Sequence, residues 1–292
     1  MNGAPVMQII KTIKDMRAFN KILRTGNKTM GFVPTMGALH EGHLSLVRRS
    51  REENAITVVS IFVNPAQFGP GEDFHRYPRD PVGDLEKLSA LDVDAVFMPE
   101  GSEMYPEPSR SVSLDVGGIG RMLCGVSRPG HFNGVATVVA KLFNIVMPDR
   151  AYFGRKDLQQ TVVIKKLVRD LNFDVDIIVC PVIREKDGLA MSSRNSYLNA
   201  GERKAATVLF RALKLGEKLI LAGEMDNAPD VRREMEKMVR SEPLADPDYI
   251  EIVDTRNLQP MQGIKLPAAL CIAARIGSTR LIDNIIVDKK RK

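Results

Sequence analysis

A nearly unbroken apolar strand constrains the fold of this chain most. Residues 55–63 read AITVVSIFV, and a strand of this kind has no polar face to turn toward water. Such strands are typical of parallel sheets, in which helices cover both faces. Short apolar runs alternate with helical spacings in the surrounding sequence, and this order predicts right-handed strand–helix–strand units. We therefore predict an α/β fold for the N-terminal domain, residues 1–182, with a Rossmann-like doubly wound parallel sheet.

The elements of this domain are predicted from residue spacing. Strands are predicted at residues 28–34, 55–63, 93–98, 151–153 and 175–179, and helices from residue 38 onward and at residues 84–91, 135–146 and 158–171. Residues 99–130 are rich in Gly and Pro and show little periodicity, so we predict that they form loops at the active site.

From about residue 183 the pattern changes. Helices predicted at residues 200–222 and 228–240 precede strands predicted at residues 249–253, 269–274 and 281–287. Helices followed by strands are typical of an α+β arrangement with an antiparallel sheet. We therefore predict a smaller α+β C-terminal domain, residues 183–292, which we expect to cover the active site.

Composition disfavours several classes of function. The net charge is +6 and the isoelectric point about 9.2, but the basic residues are spread out except for DKKRK at residues 288–292, which reads as a solvated tail. No apolar run approaches the ~18 residues of a membrane span, and the N-terminus lacks the pattern of a signal peptide. The three cysteines are far apart and form no CxxC pair, which favours reduced thiols. We therefore expect a cytoplasmic protein that binds small molecules, and neither nucleic acid nor a membrane.

The most informative turn lies at the end of the first predicted strand, where residues 35–43 read TMGALHEGH. Gly37 allows a left-handed backbone and a close approach by a ligand. A helix that begins at residue 38 offers unpaired N–H groups and a partial positive charge in its first turn. His40 and His43 are three residues apart and lie on one face of that helix, where two ring N–H groups can reach one phosphate. The turn therefore predicts a phosphate-binding site.

The two histidines have other interpretations. HEGH differs from the HExxH zinc signature, since its histidines are three rather than four residues apart and no third ligand is evident, so zinc is disfavoured. A packed or solvated role is the common one for a single histidine. Two histidines in one turn, after a strand and a glycine, favour phosphate binding.

Three further segments carry polar chemistry. They are NPAQF at residues 64–68, GRKDLQQ at residues 154–160 and DGLAMSSRN at residues 187–195. Ligands of doubly wound sheets bind beyond the carboxyl ends of the strands, so the first two segments are predicted to share one crevice with the histidine turn. Asp157 has an alternative role as a helix cap, and a surface loop explains the third segment as well as polyphosphate binding does. The glycines at residues 117–120 have neither the preceding strand nor the spacing of a dinucleotide fingerprint.

Six segments together resemble one known family. They read TMGALHEGH, IFVNPAQFGPGED, YPRD, RPGHFNGVATVV, YFGRKDLQQ and DGLAMSSRN, in this order, and they extend over nearly the whole chain. This set resembles the pantoate–β-alanine ligases, or pantothenate synthetases, of the HxGH nucleotidylyltransferase superfamily, with MSSR in place of the KMSKS-like loop. The resemblance implies a homodimeric ligase that joins pantoate to β-alanine through a pantoyl adenylate, uses ATP and Mg²⁺, and releases AMP and diphosphate.

The resemblance also implies roles for individual residues. It implies that ATP is bound by Met36, Gly37, Ala38, Leu39, His40, Glu41, Gly42, His43, Gly154, Arg155, Lys156, Asp157, Ile183, Met191, Ser192, Ser193 and Arg194. It implies that catalysis depends on His43, usually named as the proton donor, and on His40, Lys156, Ser192, Ser193 and Arg194. It implies that Gln67 and Gln160 hold pantoate, with Gln67 also near β-alanine, and that Asp84 is the candidate metal ligand. Arg155 departs from the family, in which this position is often acidic, so we expect an effect on nucleotide affinity rather than on the chemistry.

The implied chemistry suits these residue types. Forming an adenylate joins two anions, so the site needs positioned donors, which the imidazoles, Lys156 and the MSSR segment supply. Neutral glutamines can hydrogen-bond pantoate without neutralising its nucleophilic carboxylate. Two alternatives are another HxGH nucleotidylyltransferase that acts on a phosphorylated acceptor, and a non-catalytic nucleotide-binding module. The paired glutamines and the intact motifs argue against both.

Overall fold

The computed structural model describes residues 7–24, 28–107 and 111–288, so the first six residues and most of the predicted basic tail lie outside the described residues. The chain divides into two compact units. The first unit is Met1–Gly120, Arg128–Arg155 and Val163–Pro181, and the second is Arg121–Ser127, Lys156–Val162 and Val182–Lys292. Across the described residues, no helix combines the length and the apolar character that crossing a membrane requires.

The first unit is built on a parallel sheet of six strands. They are β1 (Gln8–Ile10), β2 (Met30–Thr35), β3 (Ile56–Ile61), β4 (Ala95–Phe97), β5 (Arg150–Gly154) and β6 (Asp176–Cys180). Their order across the sheet is β1-β4-β3-β2-β5-β6, and every neighbouring pair is parallel. The predicted doubly wound α/β fold is therefore confirmed. The edge strand β1 is absent from the prediction, because three residues carry too little periodicity to indicate a strand.

The helices alternate with these strands and continue into the second unit. In the described residues the α-helices are α1 (Ile13–Arg24), α2 (Glu41–Glu53), α3 (Pro81–Ser89), α4 (Gly101–Met104), α5 (Cys124–Ser127), α6 (His131–Val146), α7 (Leu158–Asp170), α8 (Ala200–Ala205), α9 (Val208–Leu221) and α10 (Ala228–Arg240). In the core of the first unit, Val33 and Val59 from the strands pack with Leu46 of α2 and Leu88 of α3. Every residue of β3 except the last is buried, as its continuous apolar pattern predicts.

The order of the strands predicts a ligand crevice at the end of β2. The chain passes from β2 to β3 on one side and returns later to β5 on the other side, so the strand order reverses between β2 and β5. In open parallel sheets, ligands bind at such a reversal, beyond the carboxyl ends of the strands. Two of the predicted binding segments start there, because β2 ends at Thr35 and β5 ends at Gly154.

The second unit contains an antiparallel sheet, and α8, α9 and α10 are among its helices. Its strands are β7 (Ala245–Asp254), β8 (Ala268–Ile276) and β9 (Thr279–Val287), in that order, and α9 and α10 share one apolar core with them. The predicted α+β arrangement is confirmed. The helix predicted at residues 200–222 is two helices, because the chain leaves the α-helical hydrogen-bond pattern at Thr207, whose N–H and hydroxyl both donate to the Lys204 carbonyl O.

Candidate active site

The turn after β2 is left-handed before it becomes helical. Gly37 and Ala38 have φ angles of +81° and +49°, and α2 begins only at Glu41. A Cβ atom on Gly37 would lie 3.0 Å from Asp84 Oδ2 and 3.0 Å from Ile61 Cγ2, so a larger residue would crowd both. The prediction of a helix from residue 38 is therefore wrong, because the chain first makes a left-handed turn that no local periodicity indicates.

Asp84 of α3 holds this turn in place. Asp84 is 1% exposed; its Oδ2 accepts a hydrogen bond from the Ala38 N–H at 2.8 Å, and its Oδ1 accepts one from the Leu39 N–H at 2.6 Å. Lys87 Nζ lies 3.8 Å from Asp84 Oδ1 and donates to the Leu39 carbonyl O at 3.0 Å. Burial raises the pKa of Asp84, although the two N–H groups oppose that shift. The carboxylate thus has a structural role, and its role as a metal ligand stays a prediction.

His40 and His43 form a reciprocal cap at the start of α2. His40 is the N-cap residue, and its Nδ1 accepts a hydrogen bond from the Gly42 N–H at 3.1 Å. His43 Nδ1 accepts one from the His40 N–H at 3.4 Å. A backbone N–H can only donate, so both Nδ1 atoms are acceptors and each neutral ring carries its hydrogen on Nε2. The ring centroids are 4.1 Å apart and both residues are half-buried, so two ring N–H donors lie side by side.

The backbone N–H groups in the first turn of α2 have hydrogen-bond acceptors, whereas the sequence analysis expected them to be unpaired. The Gly42 N–H donates to His40 Nδ1, and the N–H groups of His43 and Leu44 donate to the His40 carbonyl O at 2.8 and 3.1 Å. The expectation of unpaired N–H groups in this first turn is therefore wrong for these three residues. Anion binding by the imidazole Nε2–H groups stays a prediction.

Gln67 lies beside the same turn, directly after β3. Its Oε1 accepts a hydrogen bond from Asn64 Nδ2 at 3.0 Å, and its Nε2 contacts Met36 Sδ at 3.1 Å. Asn64 is 1% exposed, and its Oδ1 accepts a hydrogen bond from the Tyr105 hydroxyl at 2.9 Å. The structure therefore brings Gln67 and Met36 to one edge of the sheet. Asn64 and Tyr105 orient Gln67. Asn64 belongs to the NPAQF segment, but the sequence predicted no role for it, and Tyr105 lies outside every motif.

The RPGH segment supports the backbone of Gln67. His131 Nδ1 lies 2.8 Å from the Gln67 carbonyl O, and His131 Nε2 lies 3.0 Å from Arg128 Nη1. The carbonyl accepts and the guanidinium donates, so His131 is a neutral ring with its hydrogen on Nδ1. Arg128 also forms a two-pronged ion pair with Glu72, at 2.9 and 2.6 Å. Burial alone raises the pKa of Glu72, but the hydrogen bond and charge of Arg128 outweigh burial and hold that pKa below its usual value.

In the second unit, three of the residues of GRKDLQQ have distinct surroundings. Lys156 lies in the 3₁₀ turn that precedes α7, and Gln160 is half-buried in the first turn of that helix. The adjacent Gln159 is 5% exposed, donates to the Met122 carbonyl O at 2.7 Å and accepts from the Cys124 N–H at 3.0 Å. Gln159 is thus a structural residue, and the role of Gln160 as a pantoate ligand stays a prediction.

The MSSR segment follows a short hairpin formed by residues 183–191. The Met191 N–H donates to the Ile183 carbonyl O at 3.0 Å and closes this hairpin. Ser192 then caps a 3₁₀ turn, since its Oγ accepts a hydrogen bond from the Arg194 N–H at 3.3 Å. The second unit therefore brings the predicted adenine contact at Ile183 close to the start of the predicted phosphate-binding segment.

Comparison with known proteins establishes the family. The model of the pantoate-beta-alanine ligase family matches residues 8–286, which is almost the whole chain. The chain belongs to the pantoate–β-alanine ligase family. Similar members include the pantothenate synthetases of Thermodesulfovibrio yellowstonii and Thermotoga petrophila, each 53% identical over 97% and 96% of this chain, respectively, and over 100% of their own length.

Crystal structures of pantoate–β-alanine ligases share the fold described above. The pantothenate synthetase from Thermus thermophilus has a TM-score of 0.90 and 45% identity, over 97% of this chain and 100% of that one. The pantoate–β-alanine ligase from Francisella tularensis, in complex with beta-gamma ATP and beta-alanine, has a TM-score of 0.80 and 36% identity, over 96% and 97%. Members of this family are ATP-dependent ligases that form an amide bond, so the resemblance found in the six motifs is confirmed and the alternative nucleotidylyltransferase is not favoured.

Proposed function

We propose that the chain is a pantothenate synthetase, which joins (R)-pantoate to β-alanine and converts ATP to AMP and diphosphate through a pantoyl adenylate. The observation that carries this proposal is the family match over residues 8–286, within which the HEGH and MSSR segments are intact. The paired imidazoles at the carboxyl end of β2 support it, because they provide two fixed donors where the sheet order reverses.

In the first step, a carboxylate oxygen of pantoate attacks the α-phosphorus of ATP, and the bond from that phosphorus to the bridging oxygen of diphosphate breaks. Negative charge grows on the α-phosphate oxygens and on the leaving diphosphate. We assign His40 and His43 as hydrogen-bond donors to these oxygens through Nε2. The role of proton donor that the family resemblance implies for His43 is, with a neutral ring of this tautomer, that of a hydrogen-bond donor which keeps its proton. Donors that are already held in place need no reorganisation as the charge develops, which is the main source of such catalysis. We also assign Lys156 and the serines and arginine of MSSR as donors to phosphate oxygens of ATP.

Pantoate is held by neutral groups in this proposal. We assign Gln67 and Gln160 to hydrogen bonds with its hydroxyl and carboxylate groups, which leave the carboxylate free to attack. In the second step, the amine of β-alanine attacks the acyl carbon, AMP leaves with the electron pair of the acyl–oxygen bond, and the amine loses a proton. We propose that the C-terminal domain, residues 183–292, covers the site, since exclusion of water protects an adenylate from hydrolysis.

Mg²⁺ enters this scheme together with ATP. Among the described residues, no three or more His, Cys, Asp or Glu side chains are grouped so as to hold a metal ion. Both oxygens of Asp84 accept backbone N–H groups, and the Lys87 ammonium lies 3.8 Å from one of them, so this carboxylate is a poor fit for a second cation. Mg²⁺ commonly binds through substrate phosphates, water and one or two carboxylates, and it would offset phosphate charge without a dedicated cage.

Pyrophosphate–ATP isotope exchange tests the proposed reaction. The enzyme is incubated with ATP, Mg²⁺ and labelled diphosphate, with and without pantoate, and β-alanine is left out. Reversible adenylation predicts that label enters ATP only when pantoate is present. Exchange without pantoate, or none with it, would refute the adenylate mechanism. Release of AMP and an amide product on addition of β-alanine separates this ligase from a nucleotidylyltransferase that keeps its dinucleotide.

Two further expectations accompany this proposal. We propose that the enzyme is a homodimer, which sedimentation or light scattering tests. We also propose a cytoplasmic location, which the three free thiols support, since reduced cysteines are typical of that compartment.

A further inference from the structure

Strand β9 carries two adjacent polar side chains that are almost completely buried. Asp283 is 4% exposed and Asn284 is 3% exposed. Adjacent residues of a strand point to opposite faces of the sheet, so the two side chains serve different surroundings. Burial of a carboxyl and an amide in a small domain lowers stability unless each has specific partners. The hydrogen-bond partners of these two side chains show which segments of the second unit β9 holds in place.

Asp283 holds the hairpin of residues 183–191. Its oxygens accept hydrogen bonds from Arg184 Nη1 at 2.6 Å and from Arg184 Nη2 at 2.9 Å. The same guanidinium donates to the Gly188 carbonyl O at 3.1 Å, across the hairpin, and lies 4.2 Å from the centroid of the Phe210 ring. Arg184 has little conformational freedom, because it forms two hydrogen bonds with Asp283 and one across the hairpin and stacks on the Phe210 ring. The hairpin is therefore fixed to β9 through one side chain.

The turn of this hairpin is fixed from a second direction. Gly188 has a φ angle of +94°, and a Cβ atom there would lie 2.1 Å from Phe210 Cδ1. The residue is buried, so the glycine permits close packing on α9 rather than flexibility. Arg203 adds an ion pair to Asp187 at 2.7 Å. The segment that leads into MSSR is thus held in one conformation at its base.

Asn284 holds the other nucleotide segment of the second unit. Its Nδ2 donates to the Lys156 carbonyl O at 2.9 Å. Lys156 lies in the 3₁₀ turn before α7, with its Nζ 3.6 Å from Asp157 Oδ1. The hydrogen bond fixes the backbone from which the ammonium extends. A side chain attached to a fixed backbone loses less entropy when it engages a ligand.

We propose that Asp283 and Asn284 are positioning residues for nucleotide binding, which set the backbone of Lys156 and the hairpin before MSSR from adjacent positions of one strand. This inference rests on the proposed function, in which both segments bind ATP. Because the two residues are adjacent on one strand, a movement of β9 displaces both segments together. The strand thus positions two groups of phosphate donors, Lys156 and the MSSR segment, that lie far apart in the sequence.

The substitution Asn284→Ala tests the contact with Lys156. We expect adenylation in the exchange assay to fall about 10- to 100-fold at saturating pantoate, the scale of a small misplacement of a donor. We expect the KM for ATP to rise while the KM for pantoate stays within about twofold. The control is Asn227→Ala, since Asn227 is exposed in the same unit and its side chain makes no helix-capping hydrogen bond. Both variants are assayed at a temperature at which circular dichroism shows them fully folded.

The substitution Arg184→Lys tests the contact with Asp283, and it keeps the positive charge that the buried carboxylate needs. A lysine cannot form the two-pronged contact or stack on Phe210, so the hairpin should open more often. We expect faster hydrogen exchange of the Met191 amide, whose N–H closes the hairpin, with unchanged exchange in the middle of α9. This measurement requires no substrate and reports on position rather than on activity.

The outcomes separate this inference from the proposed function. If the unsubstituted enzyme shows no pantoate-dependent exchange, the proposed function fails. If the unsubstituted enzyme does show this exchange, and Asn284→Ala has the same adenylation rate and the same KM for ATP as Asn227→Ala, the positioning role of Asn284 is refuted. Unchanged protection of the Met191 amide in Arg184→Lys would refute the role of Asp283. In Asn284→Ala, a fall in adenylation with an unchanged KM for ATP and a raised KM for pantoate would also refute the positioning role of Asn284, because this residue would then serve the other substrate.

Discussion

Replacement of Asp84 by asparagine tests whether the left-handed turn after β2 controls adenylation. Asparagine keeps the shape of the side chain but replaces one accepting oxygen by an NH₂ group, so the N–H of either Ala38 or Leu39 loses its acceptor. Water cannot substitute at a side chain that is 1% exposed. A hydrogen bond to a charged group contributes about 1.5–3 kcal/mol. Burial raises the pKa of Asp84, so relief of desolvation offsets part of the loss, and we expect a net change of about 2 kcal/mol.

This loss has two measurable consequences. A change of about 2 kcal/mol shifts a two-state equilibrium by about 30-fold, so single-turnover formation of pantoyl adenylate should slow by up to about 30-fold as the turn leaves its active conformation. The melting temperature should fall by about 4–8 °C, because each kcal/mol corresponds to about 2–4 °C in a domain of 150–250 residues. Rapid-quench measurement of the adenylate and a thermal melt give both quantities.

The matched control is Asp80→Asn on the same helix. Asp80 is exposed and caps α3 by accepting a hydrogen bond from the Gly83 N–H at 3.0 Å, and asparagine caps helices equally well. We expect this variant to adenylate and melt like the unsubstituted enzyme. If Asp84→Asn behaves in the same way, the turn does not depend on the carboxylate and the reasoning fails. If extra Mg²⁺ restores the rate of Asp84→Asn, Asp84 is a metal ligand and the structural role is refuted.

Three further predictions follow from the site. His43→Ala should reduce the rate of pantoate-dependent exchange about 10²- to 10³-fold, the scale for removal of one preorganised donor. The control is His75→Ala, since His75 is exposed and lies outside the site, and we expect its exchange rate to be unchanged. A near-normal rate in His43→Ala would exclude the role of His43. Gln67→Ala should raise the KM for pantoate and leave that for ATP unchanged; a shift of the ATP constant instead would show that the pocket is assigned wrongly. Glu72, whose pKa is held down by Arg128, contributes stability that is present above its unfolded pKa of about 4.3 and is lost as the pH falls through the lower folded value. Glu72→Gln should therefore flatten the acid side of a plot of melting temperature against pH, and an unchanged slope would rule out this contribution.

Much of the architecture is predictable because burial patterns are local. The apolar run at residues 55–63 predicts β3, and the spacing at residues 228–240 predicts the bounds of α10. The start of α2 is not predictable in this way. Residues 38–40 have a helical spacing, but the conformation of Ala38 is decided by Asp84, which lies 46 residues later in the chain. The hydrogen bonds to one buried carboxylate override the local preference.

The parts of the site that no motif indicates are buried polar side chains with distant partners. Asn284 follows an aspartate in LIDNII, which reads as an ordinary strand with two polar positions. Only the fold shows that this strand is buried on both faces there, and that the amide reaches a carbonyl 128 residues away. Asn64 lies within the NPAQF segment, but its partner Tyr105 lies 41 residues later in the chain and outside every motif. Motif recognition finds groups that contact a ligand, whereas the groups that orient them depend on tertiary contacts.

The spacing of HEGH itself has a physical explanation in this structure. A capping box places an acceptor at the N-cap and a second acceptor three residues later, which is usually a serine or threonine followed by a glutamate. Here both positions are histidines, and each uses Nδ1 for a backbone N–H, His40 for that of Gly42 and His43 for that of His40. A glutamate would satisfy the same amides but would leave no donor behind, and the remaining O–H of a serine can rotate and has no fixed direction. An imidazole has a second nitrogen, and acceptance at Nδ1 requires that the hydrogen of the neutral ring sit on Nε2. The separation of three residues therefore caps the N-terminus of α2 and fixes both imidazoles in the tautomer that carries its hydrogen on Nε2. Histidines four residues apart, as in the HExxH zinc signature, would not form this reciprocal cap.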